Sequence, residues 1–101
     1  MPRLEVYVNV QRRGQYSLLA ACDAELLGMV LHDGKVAFEV RKEFYMGSKV
    51  SVEEAVDLMK QSAIVNMVGR NIVEKAIEKG LIHPEAVLEI SGVPHAQIVK
   101  M

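Results

Sequence analysis

Residues 90–99 read Ile-Ser-Gly-Val-Pro-His-Ala-Gln-Ile-Val and set an imidazole and a primary amide beside a glycine and a proline, between two apolar runs. Gly92 admits positive φ, while Pro94 fixes its own φ and restricts Val93, so the string predicts a bent corner that gives His95 and Gln97 a defined direction. An imidazole that titrates near neutrality, next to an amide with donor and acceptor functions, suits recognition of a polar partner. Gly92, Pro94, His95 and Gln97 are accordingly candidate binding residues. The competing reading is ordinary structural punctuation, a turn followed by a satisfied histidine. General-base chemistry at His95, with Gln97 as an orienting donor, is the enzymatic alternative; it lacks a carboxylate or nucleophile at local spacing, and no catalytic residue is assigned.

A second group is basic. Arg12 and Arg13 precede Gly14, and Arg41, Lys42 and Lys49 follow later, enough cations for a small phosphate-facing surface. Tyr7 beside Asn9 and Gln11 offers a stacking ring for RNA bases. Arginines in turns are also common solubilising residues, so this patch is weighed against a plain solvated tip.

Other chemistry is poorly supported. Cys22-Asp23 resembles a thiol beside a helix start, but the alternation around Leu18 and Ala20 places Cys22 on an apolar face, where it acts as a small hydrophobe. His32, His83 and His95 have no zinc-type spacing and the sole cysteine lies elsewhere, so neither a metal nor a cofactor is expected. No phosphate-binding loop of the G-x-x-x-x-G-K-[ST] type occurs. Asn66 and Gly69 are expected to share one side of a helix and to serve packing.

The elements that must position these groups fit one domain of 101 residues. Half of the residues are hydrophobic and 25% are charged, which places the chain among globular proteins with a mainly aliphatic core. The net charge of -1 supplies no global field toward phosphate or membrane, so any nucleic-acid contact must be local. The first fifty residues carry seven basic and six acidic side chains against five and seven in the remainder, making the N-terminal half the better home for a basic patch. With one cysteine and no long apolar run, a cytoplasmic, reducing setting without membrane contact is expected.

Leu4, Val6, Val8 and Val10 alternate with polar residues, the period of a strand with one buried face. Gly14 in the left-handed position of a three-residue loop would pair Gln11 with Gln15 and bring Tyr16, Leu18, Ala20 and Cys22 onto the face of the valines. Asp23 is expected to cap a short helical turn over 24–27. Val36, Phe38 and Val40 read as the third strand of an antiparallel meander. Ser51 and Glu54 form a capping box that starts a helix at Val52. From Ala63 the apolar residues keep a helical face through to Gly80, where Leu81 closes a Schellman-type end; Gly69 within this run marks a break or a close backbone approach. Two short strands, 87–90 and 96–99, flank the 92–95 corner. The expected class is α+β: a two-layer sandwich in which a mainly antiparallel sheet, made of the meander and the two C-terminal strands, packs against two or three helices.

The strings Ala20-Ala21-Cys22-Asp23-Ala24-Glu25-Leu26-Leu27-Gly28, Gly80-Leu81-Ile82-His83-Pro84 and above all Gly92-Val93-Pro94-His95-Ala96-Gln97-Ile98-Val99 resemble the small archaeal family known as domain of unknown function 424. The resemblance covers nearly the whole chain. It implies an archaeal cytosolic protein with a two-layer α/β fold, no established activity or cofactor, and a place near translation or RNA metabolism. The expected function is a non-enzymatic binding module for RNA or a translation-associated protein, using Gly92, Pro94, His95, Gln97, Arg12 and Arg13. A small enzyme based on His95, or a purely structural interaction domain able to form a homodimer, are the alternatives.

Overall fold

The computed structural model describes residues 4–100. Strands β1 (Glu5–Arg13), β2 (Tyr16–Asp23), β5 (Ser48–Ser51), β6 (Ile64–Val68), β7 (Leu88–Ile90) and β8 (Val93–Val99) form a sheet in the order β5-β1-β2-β6-β8-β7. Only the β2-β6 pair is parallel. Helices α2 (Val52–Lys60) and α3 (Arg70–Glu78) cover one face. The other face carries a separate hairpin, β3 (Val30–Asp33) with β4 (Val36–Glu39), and the single turn α1 (Lys42–Tyr45). The fold is α+β with a mainly antiparallel sheet.

The first hairpin forms, but in another register. Gly14 is left-handed at φ 62, yet the loop holds two residues, so Arg13 faces Tyr16 and Gln11 faces Leu18 rather than Gln15. A hairpin loop with glycine leading needs only these two positions. The odd-numbered slip reverses the face of every β2 side chain. Val6 and Val8 therefore share a core with Leu19 and Ala21, whereas Cys22, Ala20 and Leu18 lie opposite Tyr7, Asn9 and Gln11 on the other face. Both faces are covered, and alternation along β1 reports only one of them.

The expected third meander strand is displaced for a related reason. β6 occupies the free edge of β2 and β5 occupies the free edge of β1, so β4 pairs with β3 alone and lays Leu31 and Phe38 over Ala20, Cys22, Val40, Tyr45 and Val68.

α2 begins at the expected N-cap: the Ser51 hydroxyl accepts from the Glu54 amide at 3.2 Å, and the Glu54 carboxylate reaches back to accept from that hydroxyl at 3.3 Å rather than from the Ser51 amide. The long helix expected from Ala63 is instead a strand followed by a helix. Ile64–Val68 is enclosed between two neighbouring strands and between both cores, and a run buried on both faces carries no alternation to distinguish it from a helix. Gly69 makes the switch. α3 then closes in a Schellman end, with Leu81 N–H donating to the Ala76 carbonyl at 2.9 Å and Gly80 N–H to that of Ile77 at 2.9 Å.

Candidate functional site

The 92–95 corner is absent. The chain reverses earlier, at Ser91 and Gly92 with φ 54 and 79, and Val93–Val99 runs as one strand between β6 and β7. Pro94 is tolerated there because its carbonyl accepts from the Gly69 amide at 2.9 Å. Its nitrogen faces the same way, past the last β6 residue in the ladder, where no hydrogen bond is lost. Pro94 is buried, and Gly92 is exposed with its carbonyl accepting from Arg70 Nη2 at 3.3 Å.

His95 is half-buried with its ring edge-on to Phe38, centroids 5.1 Å apart. Its Nε2 is enclosed and has no hydrogen-bond partner, and burial lowers its pKa. This nitrogen is therefore not presented to a partner as the corner reading expects. Gln97, two residues along the same strand face, is exposed and lies opposite Asn66. Cys22 and His95 occupy one ladder row with Val68 between them, about 10 Å apart by strand spacing, too far for a thiolate-imidazole pair. Burial, with Asp23 adding to it, pushes the Cys22 thiol up to about 12. Cys22 is the small buried hydrophobe that its setting predicts, on the face opposite to the valines.

Asp23 departs furthest from its expected role. It makes no side-chain cap to the 3-10 turn Ala24–Leu26 that follows it. Its carboxylate instead accepts from the backbone amides of Asn71 at 2.8 Å and Ile72 at 3.0 Å, capping α3 from another strand. Burial raises its pKa, opposed by those two amides. Gly69 lets the carboxylate in: at φ 122, a Cβ there would stand 2.3 Å from Asp23 Cγ. A cleft of about 280 Å³ lies beside this junction, lined by Asp23, Glu25, Leu26, Arg70 and residues 92–94. The Asn71 and Ile72 amides of the first turn of α3 are already taken by the Asp23 carboxylate, whose negative charge also opposes an anion in the cleft.

The hairpin tip builds a different surface at the opposite end of the sheet. Arg12 and Arg13 are consecutive in β1 and point to opposite faces, so they do not act together. Arg13 Nη2 donates to Gln11 Oε1 at 2.9 Å, and both residues line a hollow of about 560 Å³ with Arg41, Glu43 and Phe44. Asn9 Nδ2 donates to the Phe44 carbonyl at 3.0 Å, fastening α1 to β1, while Tyr45 Oη donates to Asn66 Oδ1 at 2.6 Å, fastening it to β6. Beside Arg13 on the same face stands Tyr16, 60% exposed. The expected stacking residue, Tyr7, is half-buried under Lys49, whose Nζ is 5.8 Å from the ring centre.

The predicted binding residues thus fall into two places. Gly92, Pro94 and His95 gather at the Asp23 end, Arg13 belongs to the hairpin tip, and Gln97 lies between them in the row Asn9-Ala20-Asn66-Gln97. Tyr16, Glu43 and Phe44 were not selected from sequence. Tyr16 carried a signal, since an aromatic beside a turn glycine reaches an exposed strand end; Glu43 and Phe44 carried none before α1 was placed. Among the described residues no group of three His, Cys, Asp or Glu side chains could hold a metal ion, and no helix is long and apolar enough to cross a membrane.

The chain belongs to the DUF424 family, a protein family of unknown function, whose model matches residues 10–101. It is similar in structure to an uncharacterized conserved protein from Methanopyrus kandleri, with a TM-score of 0.83 at 23% identity, covering 96% of this chain and 94% of that one. At that identity the likeness concerns the fold alone. No curated protein matches the chain.

Proposed function

We propose that this member of a family of unknown function is a non-enzymatic binding module that contacts single-stranded RNA at the hairpin-tip end of its sheet. The observation that carries the reading is the gathering of cations and rings around one open hollow at this end: Arg13 and Arg41 border the hollow with Phe44, and Tyr16 stands exposed beside Arg13. Single strands are held by such a combination, phosphates by guanidinium groups and bases by aromatic faces. The exposed Gln97 amide lies on the same sheet face and offers a donor and an acceptor, while the Asn66 amide oxygen beside it is taken by Tyr45 Oη. A net charge of -1 makes the interaction local and strongly dependent on salt. A cytoplasmic setting accords with this reading, since RNA is met there and Cys22 is a free buried thiol.

The geometry favours this over an enzyme built on His95. Its enclosed Nε2 cannot take a proton from a substrate without the Phe38 hairpin moving, and the Cys22 thiol is both distant and protonated at neutral pH.

Fluorescence anisotropy with labelled oligouridine at low salt tests the proposal. Binding is expected in the parent, and replacing Arg13 and Arg41 together by Ala lowers the log-log salt slope by roughly 1.4, at ~0.7 for each single-strand phosphate neutralised. Arg12→Ala, on the opposite face, leaves the slope near that of the parent. An absence of binding at low salt, or an unchanged slope in the double variant, refutes the reading; recovery of a translation-associated protein on the same face would replace RNA with a protein partner.

A further inference from the structure

The hollow between β1 and α1 holds more than cations and a ring. Of its polar lining groups, the Gln11 amide is committed on both sides, accepting from Arg13 and reaching the Phe44 carbonyl at 3.5 Å. Arg41 is paired through Nε with Glu39 at 3.7 Å, and among the described residues its other donors have no partner. Glu43 stands apart: among the described residues it enters no ion pair or side-chain hydrogen bond, so a carboxylate lines the mouth with its acceptor capacity unused. An ionised carboxylate accepts and cannot donate. Beside two guanidinium groups it is a poor feature for binding phosphate alone, and it restricts which bases fit. Adenine and cytosine each set one donor group beside an acceptor along their pairing edge, and uracil sets its single donor between two acceptors. Guanine alone presents two adjacent N–H donors, at N1 and at the exocyclic amine, in the parallel geometry that one carboxylate accepts. The volume of about 560 Å³ admits a nucleotide unit.

We propose, resting on the RNA-binding reading, that this hollow selects guanine: Glu43 accepts from the two adjacent N–H groups of the base, Phe44 lies against the ring, and Arg13 and Arg41 take the flanking phosphates. The site is thus a base-discriminating pocket within a surface that is otherwise tolerant of sequence.

Competing oligomers on the full chain provide the test: an oligouridine, the same oligomer with one central guanosine, and the same with one central adenosine, together with 5′-GMP and 5′-AMP followed by amide chemical-shift changes. The guanosine oligomer is expected to bind about tenfold more tightly than the adenosine one, the scale of one good bidentate base contact. Glu43→Gln, which puts a donor where guanine also donates, brings that ratio close to one, and with a negative charge gone beside the two guanidinium groups oligouridine binds no more weakly than to the parent. Glu85→Gln removes the same charge from an exposed position outside the hollow and must leave the ratio unchanged. Equal binding of the two oligomers overturns the guanine proposal and leaves the RNA reading standing. Perturbation of Arg13, Glu43 and Phe44 amides by GMP without oligomer binding supports the pocket and overturns the RNA reading. Silence with every probe overturns both.

Discussion

Gly69→Ala is the substitution whose consequence the structure defines most closely. Gly69 sits at φ 122 and ψ 148, a conformation essentially restricted to glycine, and a side chain there costs about 1–3 kcal/mol in backbone strain alone. The new Cβ would also stand 2.3 Å from Asp23 Cγ and 2.6 Å from Asp23 Oδ1, closer than any real contact, so the carboxylate must leave. With it go the two hydrogen bonds that cap α3, from Asn71 and Ile72 amides, and charged caps of this kind are worth about 1–2 kcal/mol. The sum is about 2–5 kcal/mol, a large share of the stability of a small domain. For a chain of this size that corresponds to a fall in Tm of roughly 10–25 °C. Differential scanning calorimetry of the parent, Gly69→Ala, Asp23→Ala and the double variant reads both parts. Because the clash and the cap share one carboxylate, the double variant loses less than the sum of the singles, with a coupling of about 1–2 kcal/mol. A Gly69→Ala protein within about 1 kcal/mol of the parent, or strictly additive singles, would refute the steric reading of Gly69 and with it the view that Asp23 holds β2 to the start of α3.

Two predictions concern pH. Cys22 keeps its proton in the fold up to about 12 against an ordinary value of 9.0, so across that interval the unfolded chain binds fewer protons and parental stability falls as pH rises. Cys22→Ala removes that share of the fall in urea titrations, leaving the part due to Tyr45, whose pKa burial also raises; an unchanged alkaline slope contradicts the burial of the thiol. His95 shows the opposite sign. Its folded pKa lies below the ordinary 6.5, so the unfolded chain takes up the proton first and stability declines as pH falls below 6.5. His95→Phe has no such decline and replaces an unpartnered nitrogen with carbon, so it should equal or exceed the parent in Tm at mildly acidic pH; a variant whose acid sensitivity matches the parent's places the enclosed Nε2 in doubt.

Local chemistry made much of this fold legible. The N-cap at Ser51, the Schellman end at Gly80 and Leu81, and the left-handed Gly14 each depend on residues within one turn of one another, and each forms as the sequence implies. The α+β class follows from the same signals. What the sequence could not convey is which surface covers which. A strand with one wet face announces its register, but β2 and β6 are apolar on both sides. The hairpin slip and the strand at Ile64–Val68 therefore went unsignalled until helices on one face and the β3-β4 hairpin on the other were in place. The candidate site divides in the same way. The string around His95 drew attention because glycine and proline mark bends, yet β6 and β7 hold Val93–Val99 straight and turn the imidazole inward against Phe38. Arg13 was visible in the sequence, whereas its neighbours Phe44 and Glu43 reach it only because Asn9 and Tyr45 fasten α1 across the sheet. Sequence determined the caps, the turns and several of the element ends, since those rest on backbone conformation and adjacent side chains. The tertiary structure alone decided the site, since contacts between residues some thirty positions apart are set by how the layers close, and no local period encodes that closure.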